Sequence, residues 1–236
     1  VISPLLEIAS LSKNYHALRP LRIERLAVAA GEHVAVLGFD APAAEMMTTL
    51  VSGATLPDAG TIRLFGTSTA EIPDSDAWLQ FLDRIGIVTD RAALLDSLSV
   101  AQNLALPFTL EIEPPPEAVR QRAAALAAEV GLPASSWDRP VATLDAALRA
   151  RLRLARALSH DPHIVLMEHP TATVARAAIP LFAADIRTVA GRRRLAALTL
   201  TADREFAETV ADRVVVWNPA TGALRERRRG WLRRRG

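Results

Sequence analysis

The sequence predicts an α/β fold. A mostly parallel sheet carries a small antiparallel β-subdomain at its N-terminal side and an α-helical subdomain inserted in the middle. Three observations predict it. Residues 4–30 alternate and turn like short antiparallel strands. Short apolar runs (HVAVLG, IGIVTD, HIVLM, RLAALTL, DRVVVW) recur along the chain, as buried strands do. Residues 92–160 become rich in Ala, Leu and Arg at helical spacing.

Taken in order, LLEIASL and LRIERLAV read as strands joined by a turn around Lys13 to His16. Gly31-Glu32 turns the chain into HVAVLG, a buried strand. Residues 43–53 read as a helix ending at Gly53, and TIRLFG (61–66) as a strand after the turn Pro57-Asp58-Ala59-Gly60. IGIVTD (85–90) is the next strand. Pro114-Pro115-Pro116 leads stiffly into EAVRQRAAALAAEVG, whose inward face is Val119, Ala123, Leu126, Ala127 and Val130, with Gly131 as the stop. In residues 144–158, Leu144, Leu148, Leu152 and Ala155 face inward. Strands return at 163–167, 194–200 and 212–217. Strand–helix alternation implies parallel pairing. The domain reading is 1–91 for the β-subdomain and first part of the core, 92–160 for the helical subdomain, 161–224 for the second part of the core, and 225–236 for a basic tail.

Half of the 236 residues are hydrophobic and 23% are charged, a globular composition. The absence of cysteine excludes disulfides and thiolate metal sites. No apolar stretch reaches the ~18 residues of a membrane span, and no signal peptide is visible. The formal charge of +2 is unevenly placed: residues 225–236, RERRRGWLRRRG, hold seven arginines against Glu226. The remainder is acidic, so no nucleic-acid-binding body is implied.

Five segments in order resemble the nucleotide-binding domain of ABC transporters, a P-loop NTPase-like core, over nearly the whole chain. Residues 31–53 match the strand, phosphate loop and helix without a gap, with Gly38 at the first loop glycine. IGIVTD and LSVAQNLALP (98–107) resemble the Q-loop strand and the segment that enters the helical subdomain. Residues 143–174 have the spacing of the signature motif, Walker B and the D-loop. The strongest piece runs from Ala155 to Thr171. LTLTADREFAETVADRVVVW resembles the H-loop strand and the last core strand.

The family's chemistry is altered at each position. A phosphate loop uses backbone N–H groups, a lysine and a Mg²⁺-binding hydroxyl. Here Ala44 stands at the lysine position and Glu45 at the hydroxyl position. Ala41 and Ala43 replace glycines, and left-handed alanine costs about 1–2 kcal/mol. Pro42 removes an N–H. A carboxylate 4 Å from a phosphate charge is repelled by roughly 4 kcal/mol at an effective dielectric of 20. Two readings of Glu45 follow: with Asp40 it fills the helix N-terminus as a built-in anion, or it is a solvated first-turn glutamate. Asp90 takes the Q-loop glutamine position, Glu168 the Walker B aspartate position, His169 the catalytic glutamate position and Ala202 the H-loop histidine position. His169 reads as a hydrogen-bonded interface histidine, or as a proton acceptor. The signature segment is Leu144-Asp145-Ala146-Ala147-Leu148, in which Asp145 suits a helix N-cap but repels phosphate. Tyr15 stands where the family stacks an aromatic on adenine; packing is the other reading.

The resemblance with these departures implies a pseudo-ATPase subunit: no catalytic residue, no metal, and no cofactor held by this chain, with ATP and Mg²⁺ at a partner. The implied partners are a second, catalytically intact ABC ATPase subunit and a membrane permease, which would contact Leu94, Leu95 and Leu98, with Val100 and Leu104 beside them. ALP at 105–107 resembles the subgroup that handles lipids and lipoproteins. The place implied is the cytoplasmic face of the membrane. The basic tail is read as an anionic-lipid contact, an acidic-patch contact or a solubilising end. Two other functions stay open. One is a regulatory or scaffold protein outside a transporter. The other is an ATPase of altered mechanism, with Glu45, Asp90 and Glu168 holding a metal and His169 as base.

Overall fold

The computed structural model describes residues 4–227 of the 236. The first strands are β1 (Leu6–Lys13), β2 (Leu21–Val28) and β3 (His33–Leu37). Helix α1 (Ala41–Val51) follows, then β4 (Ala59–Leu64), β5 (Thr67–Ser68), α2 (Ser75–Leu82) and β6 (Ile85–Val88). The middle of the chain is helical: α3 (Val100–Ala105), α4 (Glu117–Glu129) and α5 (Ala146–Ala157). The last part alternates β7 (Ile164–Glu168), α6 (Ile179–Arg193), β8 (Ala196–Thr201), α7 (Arg204–Val210), β9 (Arg213–Trp217) and β10 (Leu224–Glu226).

Two sheets form. The smaller is antiparallel, in the order β2-β1-β4-β5. The larger has the order β10-β9-β3-β8-β7-β6, parallel throughout except for β10. The predicted architecture is therefore present. A kink in β1 bends the smaller sheet: the pairing of β1 with β4 shifts between Ala9 and Ser12, where Ser10 has φ 52°. Gly60 sits opposite with φ 85°, and a Cβ there would lie 2.3 Å from the Ser10 carbonyl oxygen, so only glycine fits.

The central strands are buried on both faces, and alternate residues feed two cores. Ala35, Leu37, Val165 and Met167 join α3 to α7 on one side. Val34, Val36, Leu166 and Leu198 join α1 and the smaller sheet on the other. Phe39 packs at a tilt of 31° against Trp217 with centroids 4.3 Å apart, and the Trp217 indole N–H donates to the Arg22 carbonyl at 2.8 Å. This ties the two sheets together beside the turn that precedes α1.

The helices begin where capping side chains allow. Asp40 caps α1, Asp74 caps α2, Ser99 and Gln102 form a capping box on α3, and Asp145 caps α5. Helix α1 starts two residues before the predicted position, because Asp40 rather than a later residue supplies the cap. Its end falls at Val51, with Gly53 in a left-handed turn beyond it. In α4, Ala123, Leu126, Ala127 and Val130 are buried as predicted, while Val119 is half-buried. Strand β10 takes up Arg225 and Glu226, the first residues of the basic run. The lipid and acidic-patch readings of that run rest mainly on 228–236, including Trp231 and Leu232, which lie outside the described residues.

Candidate functional site

The C-terminal ends of the parallel strands and the start of α1 converge on one place, the position where ligands bind in open α/β sheets. Gly38 leaves β3 with φ 99°, and a Cβ there would lie 3.2 Å from the Trp217 carbonyl oxygen. Its glycine is thus required by the turn and by the close backbone. Asp40 then accepts from the Ala43 N–H at 2.9 Å through its side chain, and from the Ala44 N–H at 3.0 Å through its backbone. Ala41 and Ala43 are in right-handed helix, so the expected left-handed strain does not arise. Ala44 is fully buried in the core.

Glu45 does not fill the helix N-terminus. Its carboxylate turns to Arg91 and accepts from Nη1. The Arg91 Nη2 donates to both oxygens of Glu168, at 2.7 and 2.6 Å. One guanidinium thus bridges the carboxylates at the family's Mg²⁺-hydroxyl and Walker B positions. Glu168 is 7% exposed, and Thr89 adds a hydroxyl hydrogen bond to it at 2.9 Å. The same Thr89 hydroxyl accepts from the Arg91 backbone N–H at 3.3 Å, which fixes the turn out of β6. Both oxygens of this buried carboxylate therefore have hydrogen-bond donors. The proposed triple of Glu45, Asp90 and Glu168 is not formed. Asp90 is exposed, and among the described residues no three His, Cys, Asp or Glu side chains are grouped to hold a metal ion.

His169 follows β7 with φ 40°, and its backbone N–H donates to the Leu200 carbonyl at 2.9 Å. Its Nε2 is buried and has no hydrogen-bond partner. Within the described residues the ring thus finds no partner for the hydrogen bond that the interface reading implies. The ring faces a cavity of about 20 Å³ lined by Thr89, Asp90, Glu168 and Thr173, among others, which has room for one water. Tyr15 is half-buried against the core beneath β1 and β2. Burial, and then the charge of Asp40, raise its hydroxyl above the usual tyrosine value. Tyr15 is thus both packed and close to the loop. Ala202 is exposed, and its neighbour Asp203 caps α7 and accepts from the Thr171 hydroxyl at 3.3 Å.

The signature-like segment starts α5. Leu144 is buried, and the Asp145 carboxylate accepts from the Leu148 N–H at 2.8 Å. Ala146, Ala147 and Leu148 are half-buried. A groove of about 510 Å³ lies between the sheet and the helical part. Leu94 lines it, with Leu79, Leu82, Ile87 and Leu106. Leu95 is exposed beside it, Leu98 is half-buried away from it, and Val100 and Leu104 are core. Arg91 is the residue that motif reading missed. It lies next to Asp90, and its role shows only when β6, α1 and β7 are brought together.

Comparison with known proteins gives the following. The family profile described as ABC transporter matches residues 23–172. The sulfate/thiosulfate import ATP-binding protein CysA 2 of Chromobacterium violaceum is 31% identical, over 92% of this chain and 57% of that protein. The methionine import ATP-binding protein MetN of Brucella abortus is 27% identical, over 91% and 57%. The lipoprotein-releasing system ATP-binding protein LolD of Chromohalobacter salexigens is 37% identical, over 62% and 61%. The chain thus spans about three fifths of the curated relatives it matches. Among solved structures, the dimeric post-hydrolysis ATP-binding cassette MJ0796 bound to ADP and Pi superposes with a TM-score of 0.77 at 20% identity, over 96% of this chain and 100% of that one. CbiO1 of Clostridium perfringens, part of the complex cbiONQ, gives 0.72 at 19%, over 91% and 84%.

These findings overturn two expectations. The reading as a non-ATPase and the reading that this chain holds no cofactor both fail against relatives that are named ATP-binding proteins. Both rested on the altered residues at the motif positions Ala44, Glu45, Asp90, Glu168, His169, Ala202 and Leu144 to Leu148, and no motif position reports a cation brought from elsewhere in the chain. Ala44 and Glu45 offer no cation, but Arg91 brings one to the same place from the end of β6.

Proposed function

We propose, for a chain that belongs to the ABC transporter family, that it binds nucleotide at the start of α1 and works as the ATP-binding subunit of a membrane transporter. The observation that carries the reading is the meeting of Glu45, Glu168 and Arg91 at the C-terminal end of the parallel strands. Magnesium is held in proteins by one or two carboxylates plus substrate phosphates. The hard oxygens of Glu45, Glu168 and the Thr89 hydroxyl fit that donor chemistry. Bound there with nucleotide, the ion would offset phosphate charge. Tyr15 would meet the base, a role supported by its position near Asp40. His169 would accept a proton from water, a role supported by its buried, unpartnered Nε2 and the one-water cavity that the residue lines.

Opening the site has a cost. Asp40 must release the Ala43 N–H, worth about 1 kcal/mol as a cap, and Arg91 must leave two carboxylates. A ribose-labelled fluorescent ATP analogue is expected to bind the purified chain, more weakly than it binds a cassette with a conventional loop. The expected ratio is about 10- to 100-fold, from a closed state favoured by ~1.4–2.7 kcal/mol. No binding at millimolar nucleotide would end the nucleotide reading.

The groove beside Leu94 is the proposed seat of a permease segment. It is apolar, exposed Leu79 and Leu95 rim it, and no helix among the described residues is long and apolar enough to cross a membrane. The chain would then sit peripherally on its membrane subunits. Leu79→Arg or Leu94→Arg is expected to reduce co-purified membrane subunit by tenfold or more, since a buried interface anchor is worth ~1–2 kcal/mol or more. Undiminished recovery with both variants would remove the groove from the interface.

The cassette partner is proposed to be a different chain. Asp145 presents a carboxylate where the family's signature segment presents a hydroxyl and glycine amides to the opposite phosphate, and its capping bond to Leu148 holds it there. A partner with an uncharged signature segment would complete the site on this chain better than a second copy would. Native co-purification that returns only this polypeptide and a permease would oppose that pairing.

A further inference from the structure

Two buried nitrogens without a partner, on different elements, line one small cavity. We propose that Arg153 and His169 together hold a single water molecule there, and that Arg153 is a positioning residue that turns the water's hydrogens towards His169. The proposal rests on the reading of His169 as a proton acceptor in the nucleotide site, and deepens it by naming what orients the water.

Arg153 lies in α5, and His169 directly follows β7. The Arg153 Nε and the His169 Nε2 are both buried without a hydrogen-bond partner. Burying a polar nitrogen dry is costly, so each of these two atoms calls for a partner. Both residues line the cavity of about 20 Å³. A water needs roughly 10–15 Å³ of such space and two to four polar partners. The volume meets the first condition. The two nitrogens meet the second, with oxygen-bearing Thr89, Asp90, Glu168 and Thr173 in the same wall. One water thus satisfies both nitrogens at once.

Each nitrogen is held on a firm mount. His169 has φ 40°, a left-handed backbone that histidine adopts only at a cost. It is fixed there on both sides, by its N–H to the Leu200 carbonyl at 2.9 Å and by the Ala172 N–H to its own carbonyl at 2.9 Å. The Arg153 Nη2 donates to the Asp90 carbonyl at 3.4 Å, which engages one end of the guanidinium and leaves Nε over.

The direction of the water follows from the donor inventory. A guanidinium donates and never accepts, whereas an imidazole nitrogen without a hydrogen accepts. The Arg153 Nε–H therefore takes a lone pair of the water oxygen. Both O–H bonds then point away from α5, one to His169 Nε2 and the other to an oxygen of the wall. A positive charge on the oxygen side also favours loss of the water's proton. A carboxylate in place of Arg153 would do the reverse and draw the hydrogens off His169.

The test uses the full chain without nucleotide. Oxygen-17 magnetic relaxation dispersion counts long-lived internal waters. Arg153→Met and His169→Leu, each checked for an unchanged circular dichroism spectrum, are each expected to hold about one fewer than the unaltered chain. Arg153→Lys is expected to keep the water, because an ammonium also donates without accepting. Nitrogen-15 labelling of histidine reads the orientation in the unaltered chain, at about pH 8, above the ordinary histidine value of ~6.5. His169, assigned by the loss of its signal in His169→Leu, is expected in the Nδ1–H form. Its Nε2 resonance is expected to move in Arg153→Met, while those of the other four of the five histidines stay. An unchanged water count in both folded variants overturns the shared site. An Nε2–H form of His169, or an Nε2 resonance unmoved in Arg153→Met, overturns the positioning role. Because none of these readouts needs nucleotide, failure of the ATP analogue to bind would sink the functional reading separately.

Discussion

Replacing Arg151 with methionine is expected to lower the unfolding free energy by about 3 kcal/mol, at the lower end of the range for breaking a buried ion pair. Arg151 sits in the middle of α5 and is 5% exposed. Its Nε and Nη2 both donate to one oxygen of Asp185 on α6, at 3.1 and 2.5 Å, and its guanidinium carbon lies 5.6 Å from the Phe182 ring centroid. Removal of the arginine strands a carboxylate in a mostly apolar cleft. The Asp185 side chain keeps 22% exposure, so water recovers part of the loss. The double variant Arg151→Met with Asp185→Leu should regain much of it, because no charge is then left unpaired. Urea unfolding reads both values. A loss under 1 kcal/mol for the single variant would show that the pair contributes little to holding α5 on α6.

The second large effect is a dependence of stability on pH. His33 opens β3 and is 3% exposed. Its Nε2 is 2.8 Å from the Thr199 hydroxyl, while Nδ1 is buried without a partner. Burial pushes the imidazole down to about 4, and Arg187 adds to that; the Asp212 charge opposes it. The unfolded chain has an ordinary histidine near 6.5 and so takes up the proton first as pH falls. Stability should therefore be unaffected by this residue above pH 6.5. Between 6.5 and 4 it should decline by about 3 kcal/mol, and the full loss is present below 4. Carboxylates also titrate in acid, so the informative quantity is the difference between the unaltered chain and His33→Gln. That difference should shrink steadily as pH falls from 6.5 to 4. Parallel curves would mean that the buried imidazole does not drive the acid sensitivity.

Much of the fold can be read from local sequence, and the exceptions have local causes. Asp145 was readable as an N-cap because a capping residue stood immediately before a strong amphipathic run. The runs at 33–37, 85–88 and 164–168 were readable because strands buried on both faces lack polar interruption. Helix α6 was not readable. It begins at Ile179 after Ala178, which offers no side-chain cap, places Pro180 in its first turn and carries a weakly separated apolar face. Helix α2 carries a local signal, Asp74 before an apolar run. The site divides in the same way. Glu45 and Glu168 were identified by motif position. Arg91 was not, because its partners lie 46 and 77 residues away in sequence and no spacing rule reports such a contact.

The larger sheet divides the interior into two apolar compartments fed by alternate side chains of the same strands. A substitution at Val36 and one at Leu37 are neighbours in the chain, yet each is sensed by a different population of helices. Losses of packing on opposite faces should then add almost independently, while two on one face should not. The partition would let the side packed by α3 to α7 change without disturbing the packing behind the turn that precedes α1.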